Sequence, residues 1–470
     1  MPEYVAPTKP FDIAIVGGGI GGLAFAVGLL HQGVPVKVYE STKAFMEVGA
    51  GLGLSPNSQR AMKLIDPAIY EGFLRRRSIN GWDSKKEVWF DFRHGMHPRA
   101  GELIHTVKRR GSVGHSTCHR AHFLDELAHL IPAEVAHFGK RLADLEEKED
   151  RVVMTFRDGT TAEASAVVCC DGVKSRGRQI LFGEKNPISY AQFTGKYAYR
   201  GLIPMDQAVD LLGDELARNG QMYLGEHGHL LTFPIQEGQK MNVVAFRSKA
   251  NGKWKSEQWV LPMQKEDMYT DFEGWGPTVQ KIISLMQKPD IWALFDHASV
   301  PTYYRGRICL LGDAAHATTP HQGAGAGMAI EDAFLLSNLL GSIDSAAELE
   351  DAFRAYDAVR RPRTQKLVES SREAGRMYEF ELEDVWDDIE KIKGQLDERM
   401  WWIWDHDLEK DLEDAKKIMR AGPAASGTGG DESTESSESD ETQATEDEDE
   451  DVLLDLDEVV KMEKLEIIEE

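Results

Sequence analysis

Residues Phe11 to Val16 form a short apolar run rich in β-branched side chains, and Gly17-Gly18-Gly19-Ile20-Gly21-Gly22 follows without a spacer. An Ala- and Leu-rich stretch then reads as a helix ending near Gly33, and Val34 to Tyr39 reads as a second strand with Glu40 just past its end. Strand, glycine turn, helix and strand in this order suit a dinucleotide: Gly17 permits the tight turn, Gly19 lets the backbone approach a pyrophosphate, and Gly22 allows close helix-strand packing. The phosphates would sit at the positive helix N-terminus, with Glu40 holding a ribose diol about 20 residues past the glycines. The motif serves NAD and FAD alike, so the choice between them rests on the rest of the chain.

With 470 residues there is room for two or three domains. No apolar run reaches the roughly 18 residues of a membrane span, and the N-terminus lacks the apolar core of a secretory signal, so a cytoplasmic protein without a membrane partner is expected. Cys118, Cys169, Cys170 and Cys309 lack metal-ligand spacing and read as reduced packing residues. No basic patch with interleaved aromatics points to nucleic acid. The net charge is −25, but residues 431–470 hold 19 acidic residues against two lysines, so the preceding chain is only mildly acidic. This tail comes after a Gly/Ala/Ser-rich stretch and contains Glu446 to Asp451 as an unbroken acidic run. Its composition predicts disorder, and any protein partner it has is unspecified.

Further along, Val48 to Asn57 is a small-residue segment with glycines at 49, 51 and 53, leading into a helix from Ser58. Arg120 opens another helix, where it is placed to reach a pyrophosphate or to be a surface charge. Val152–Phe156 and Ala162–Cys170 read as antiparallel strands about the Asp158-Gly159 turn, the second ending in Asp171-Gly172 with Lys, Ser and Arg following. From Tyr190 to about Val300 alternating strands suggest a mostly antiparallel sheet with one face lining a cavity, followed by a helix over Val279–Leu294. Ile308 to Leu311 is then a buried strand running into Gly312-Asp313, and Pro320 to Gly327 is a Gly/Ala-rich turn into a helix over Met328–Leu340. Asp313 is placed to bind a polyol hydroxyl, and the backbone N–H groups at Gly325 and Ala326 suit a negative charge developing on a reduced isoalloxazine.

On Gly17-x-Gly19-x-x-Gly22, Asp171-Gly172 and Gly312-Asp313, with Gln221 to Gly225, Gly228 to Pro234, Gly274-Trp275-Gly276 and Pro320 to Gly327 on the substrate side, the chain resembles the FAD-dependent aromatic hydroxylases of the para-hydroxybenzoate hydroxylase fold. Within them it is most similar to the salicylate 1-monooxygenases, over about residues 10–420. Related fungal phenol hydroxylases of polyketide pathways carry similar segments.

The resemblance implies an α/β fold: a Rossmann-type FAD domain with an inserted, mostly antiparallel β-sheet substrate domain and C-terminal helices. The expected boundaries are 1–185 and 301–365 for the two parts of the FAD domain, 186–300 for the substrate domain, 366–422 for the helices and 423–470 for the tail. It implies Glu40 on the adenosine ribose, Arg120 along the FAD, Asp171 in a segment shared by FAD and nicotinamide, and Asp313 on the ribityl chain.

The expected activity is hydroxylation of a small phenolic substrate with NAD(P)H and O2, the expected substrate being salicylate or a salicylate-like acid that loses CO2 to give a catechol. The rivals are hydroxylation of a polyketide-derived phenol and non-catalytic binding. No metal cluster is visible in the spacing of the histidines, so flavin must activate oxygen. His229 and His321 are the candidate imidazoles for the phenol or the peroxide, Arg200 and Arg247 the candidate carboxylate anchors, and Tyr223 a hydroxyl donor.

Overall fold

The computed structural model describes residues 4, 6–45, 51–109, 111–249, 252–262, 265–286 and 290–422. Ile13–Val16 and Ala166–Cys169 are buried at every position, as strands must be when helices cover both faces of a parallel sheet. They pair in register from Ile13↔Ala166 to Val16↔Cys169. Among the described residues their sheet has six strands, in the order Tyr304–Arg305, Ile308–Leu310, Ala166–Cys169, Ile13–Val16, Val36–Glu40, Ala136–Phe138, all parallel but for the first pair. The Ile20–His31 and Gly325–Ser342 helices pack on each other beside it. Gly17 has φ +105°, and a Cβ on Gly22 would stand 2.1 Å from the Gly17 carbonyl oxygen. Both positions therefore exclude side chains.

The apolar run expected as one strand over Ala162–Cys170 is two. Thr161–Ala164 joins a small antiparallel sheet with Val152–Phe156 and Leu142–Glu147, and Ala166–Cys169 enters the parallel sheet. Ser165 between them is fastened to Asp12: its N–H and hydroxyl donate to the Asp12 carboxylate, and its oxygen accepts from the Asp12 N–H. That local exchange replaces ladder hydrogen bonds and turns the chain from one sheet to the other.

A second sheet has eight strands among the described residues, in the order Val260–Pro262, Asp290–Asp296, Gln192–Pro204, Lys240–Ser248, Gly228–Ile235, Gln221–Gly225, Val88–His94, Leu103–Lys108. Its pairs are antiparallel except Gln221–Gly225 with Val88–His94. Two of its strands come from ahead of residue 186, so the sheet is not confined to the expected 186–300 segment. The helix expected over Val279–Leu294 is corrected too: Pro277–Leu285 is helical, whereas Asp290–Asp296 is a strand paired with Gln192–Pro204. Ile291, Trp292, Leu294 and Phe295 fit a pleated surface, and the Lys288-Pro289 dipeptide is a helix-breaking signal that the apolar pattern masked.

The Leu349–Tyr378 helix runs through the expected 365/366 boundary with Pro362 inside it. The described residues fall in one compact unit, and the acidic tail lies outside them. No helix among the described residues is long and apolar enough to cross a membrane.

Candidate active site

Side chains alternate across a strand, so one face of the second sheet presents Ala198 and Arg200, Met222, Leu231 and Phe233, Val244 and Phe246, and Trp292 and Leu294 to a common space. This space is a cavity of about 270 Å³, closed on its other side by Gly51–Ser55, His115, Arg120, Asp313 and residues 318–326. Gly51 lies so close to the sheet that a Cβ there would meet the Phe233 ring at 2.4 Å, and its N–H donates to Asn242 Oδ1 at 3.0 Å.

The fold gathers Arg120, Arg200, Asp313, His321, Gly325 and Ala326 of the expected residues around this cavity. The Arg200 guanidinium lies 4.7 Å over the Trp292 ring, and its Nε has no hydrogen-bond partner. Burial, and then the neighbouring Arg120 charge, lower its pKa to about 10, which leaves it cationic at neutral pH. His321 sits in the Pro320–Gln322 turn, buried, with both ring nitrogens unpartnered. Burial and then the nearby His229 hold it well below the usual imidazole range. The Leu349–Tyr378 helix passes directly behind it at Gly375, where a Cβ would stand 2.8 Å from the ring. His229 lies one ring deeper, stacked on Phe246 at 4.3 Å and 5.4 Å from the His321 centroid.

Tyr223 and Arg247 are not brought to the cavity, which corrects their expected place. Each is one residue out of phase with a lining side chain, Met222 and Phe246 respectively, so each falls on the opposite face of the sheet. Tyr223 is buried there beside Leu230 and Met241, and Arg247 lies 5.6 Å over the Phe272 ring while donating to the Glu226 carbonyl at 3.1 Å.

At the crest of the parallel sheet, the Glu40 carboxylate accepts the Gly18 N–H at 2.7 Å and the Thr42 N–H at 2.8 Å. Burial would raise this carboxyl, but those hydrogen bonds outweigh it and lower its pKa. The glycine turn is thereby fixed to the end of the next strand. The half-buried Asp171 carboxylate accepts from the Arg176 and Gly177 N–H groups and the Ser175 hydroxyl at the start of the Arg176–Phe182 helix. Its side chain is thus committed to the backbone. Asp313 is exposed at the cavity rim and accepts no hydrogen bond from a side chain among the described residues.

Several residues escaped the sequence reading. His115 lines the cavity with an unpartnered Nδ1 and a pKa that burial lowers to about 3. The buried Arg178 guanidinium donates to the carbonyls of Ile188, Ala298, Ala314 and Ala315, tying the segment after Asp171 to the one after Gly312. Asp332 accepts from the Gly312 N–H, His316 and Arg360, behind the same turn. Spacing gave no sign of these, because each partner comes from a distant element. The fold also gathers His229, His321 and Glu379, with one ligand-type atom of each within 4.8 Å of the others, a grouping that sequence distance hid.

Gly17, Gly19 and Gly22 lie at the end of the first strand rather than on the cavity, so the molecule offers a glycine turn at the sheet crest and, separately, a rim with an unengaged carboxylate and a helix N-terminus. An extended dinucleotide has the two ends such a site needs, and the residues fit FAD. This is the build of an enzyme that brings a small molecule to a nucleotide cofactor.

Residues 281–371 match the model of an FAD-binding domain family. The chain is 43% identical to 6-methylsalicylate 1-monooxygenase atA of Aspergillus terreus, over 87% of this chain and 92% of that protein. It is 38% identical to salicylate hydroxylase asL1 of Sarocladium schorii, over 86% and 90% of the two chains. A salicylate hydroxylase solved as a substrate complex superposes with TM-score 0.78 at 36% identity, over 87% of this chain and 98% of that one. The chain belongs to the FAD-dependent monooxygenases, as an aromatic hydroxylase of the salicylate hydroxylase type. FAD is its cofactor, and NAD(P)H is the typical reductant of such enzymes.

Proposed function

We propose that the enzyme uses NAD(P)H and O2 to hydroxylate a small ortho-hydroxybenzoate, salicylate or a substituted salicylate, replacing its carboxylate to release CO2 and a catechol. The observation that carries this reading is the pairing, in one apolar cavity, of a half-buried cationic Arg200, its Nε without a partner, with a buried, unpartnered His321.

Reduced FAD supplies the activated oxygen; the chain supplies position, dryness and proton control. Gly17, Gly19 and Gly22 would admit the pyrophosphate at the Ile20–His31 helix N-terminus, Glu40 the adenosine ribose, and Asp313 the ribityl hydroxyls. The N–H groups at Gly325 and Ala326 would face the flavin ring, where the Gly325–Ser342 helix dipole favours negative charge. Arg120 stands on the cavity wall, near enough to Arg200 to influence it. Arg200, braced on Trp292, would hold the substrate carboxylate with paired hydrogen bonds. His321 would take the phenol proton, and the phenolate so formed activates the ring carbon that bears the carboxylate. Phe233, Phe246, Leu231 and Met222 exclude water and clamp the ring. Free thiols at all four cysteines accord with a cytoplasmic enzyme, and the parallel sheet would carry the cofactor with its strands from 1–185 and 301–365.

Salicylate, 6-methylsalicylate and an uncharged polyketide phenol, each supplied with NAD(P)H, are to be assayed for catechol-type product and CO2. Matched NAD(P)H oxidation and CO2 release from a salicylate is the expected result. Coupled turnover of the uncharged phenol alone transfers the enzyme to the polyketide alternative.

A further inference from the structure

Behind His321 a line of polar groups runs out of the cavity. His229 is completely buried and its Nδ1 lies 3.1 Å from Glu379 Oε1. The other Glu379 oxygen is bonded to the Lys196 ammonium, which also donates to Glu381 Oε2 at 3.0 Å. Glu381 Oε1 takes a hydrogen bond from Ser248 and lies 2.8 Å from His227 Nδ1. Side-chain exposure rises along the line, from 0% at His229 and Glu379 through 9% at Lys196 and 25% at Glu381 to 63% at His227. The inner end is a cavity wall and the outer end is solvent.

Two features set this apart from a structural ion pair. The first is unused valence at the inner end. His229 Nε2 and both nitrogens of His321 are buried without a partner, and the ligand-type atoms of the two rings lie within 4.8 Å, a span that one water bridges. The second is the backbone. Phe380 sits at φ +56°, a conformation unfavourable for a bulky residue, and its two neighbours Glu379 and Glu381 converge on the same ammonium.

We propose that His229, Glu379, Lys196 and Glu381 form a proton exit from His321 to solvent at His227. The proposal rests on the reading of His321 as the acceptor of the phenol proton. The phenolic O–H bond breaks as an N–H bond forms on His321. His321 then gives a ring N–H proton to a bridging water as that water passes one of its own to His229 Nε2, and His229 releases its Nδ1 proton to Glu379. Lys196 gives a proton to Glu381 and regains one from Glu379, and Glu381 or His227 delivers one proton to water. No electrons move, and one proton enters and one leaves.

The groups facing this path give it direction. His321 faces His229, Glu379 and Lys196, and His229 also faces Glu381 and the Tyr378 ring at 5.3 Å. Burial, the largest influence, lowers the His229 pKa against the pull of Glu379, and it lowers His321 further. For Glu379 burial acts upward, but the His229 hydrogen bond and the Lys196 charge hold the carboxyl below its usual range. A proton does not rest on either imidazole, since a buried imidazolium is costly, and the hydrogen-bonded Glu379 carboxylate gives it a way out. The same charges argue against a cation held by His229, His321 and Glu379, because the Lys196 ammonium already compensates the carboxylate.

The test uses FAD-loaded enzyme without reductant, so no turnover occurs. Bound nitrosalicylate and, in parallel, bound nitrophenol report ionisation of their phenol by absorbance after a rapid pH jump. Variants are Glu379→Gln, the charge-balanced pair Lys196→Met with Glu379→Gln, and the surface variant Glu381→Gln. In folded, flavin-loaded variants the ionisation rate is expected to fall roughly tenfold or more with probe affinity retained, and added imidazole is expected to restore part of it. Rates equal to wild type in these variants overturn the exit, as does stoichiometric bound metal that is lost with Glu379→Gln. If only nitrophenol binds the wild type, the salicylate reading fails while the exit is read on nitrophenol. If neither binds, both readings fall.

Discussion

A single side chain decides most when it is buried without a partner, and His321 is such a residue. His321→Asn keeps a polar group of similar reach but removes the base, and is expected to lower kcat by roughly 10²–10⁴ while flavin content stays the same, as absorbance at the flavin band will check. Gly375→Ala reaches the same imidazole from behind: its Cβ would stand 2.8 Å from the ring, so His321 must shift, with loss of kcat but not of fold. Arg200→Lys keeps the charge and loses the planar fork on Trp292, so KM for a carboxylated substrate should rise about tenfold in steady-state assays, with little change for an uncharged phenol. That Arg200 and His321 line the cavity was legible because each stands in a strand or glycine-rich turn that also carries other signals. Tyr223 and Arg247 were misplaced because pattern alone does not tell which phase of an alternating strand faces the ligand; that depends on what packs against each face. Here helices such as Pro277–Leu285 take the face that carries both.

Among the elements, the Gly325–Ser342 and Leu349–Tyr378 helices are joined by ion pairs wholly inside the protein. Arg360 lies 2.8 Å from Glu331 and 2.7 Å from Asp332, and Arg363 lies 2.8 Å from Glu331. Arg360→Met would leave both carboxylates short of their partner, and unfolding by denaturant should show a loss of about 3–5 kcal/mol. Burial alone would raise both acids, but the arginine and histidine charges hold each at about 2. Since the unfolded chain protonates them near 4, the stability they contribute is complete above about pH 4 and is lost as pH falls towards 2. The buried histidines act earlier. Burial lowers His115 to about 3 and, with nearby positive charge, His297 to about 3 as well, so the unfolded state gains protons first as pH falls below about 6.5. Thermal melts across pH 7 to 3 should show a shallow decline followed by a steep one. The helices and strands of the dinucleotide half were legible because their periods are long and their turns carry glycine. The Asp290–Asp296 strand was not, because a short apolar run has no period of its own and its pairing partner lies nearly a hundred residues away.

For the molecule as a whole, the first glycine turn and the acidic tail predict opposite outcomes. A β-branched residue at Gly19 would obstruct the approach of the pyrophosphate, so Gly19→Val should purify colourless, as its visible spectrum will reveal. Truncation after Gly422 removes a segment whose composition cannot build a core, and turnover should be unchanged in the shortened enzyme. The architecture itself was legible, since a dinucleotide motif at the start and its resumption at Gly312 bracket the second sheet. Val88 to Phe90 and Leu103 to His105 read in the sequence as short strands leaving the dinucleotide half, as they do, but their partners were not legible, because no sequence signal states which distant strand an edge will accept. The cavity wall built there has a further consequence. Its lining residues sit on strands held together by backbone hydrogen bonds, at alternate positions, with a packed core on the reverse face. Exchanging Met222, Leu231, Val244 or Leu294 for another apolar residue alters the shape of the space and leaves the ladder intact. Adding or deleting one residue within Gly228–Ile235 would throw the side chains on one side of the change onto the opposite face of the sheet. A lineage carrying this sheet can therefore explore new aromatic substrates by point mutation, while changes of length are confined to its loops.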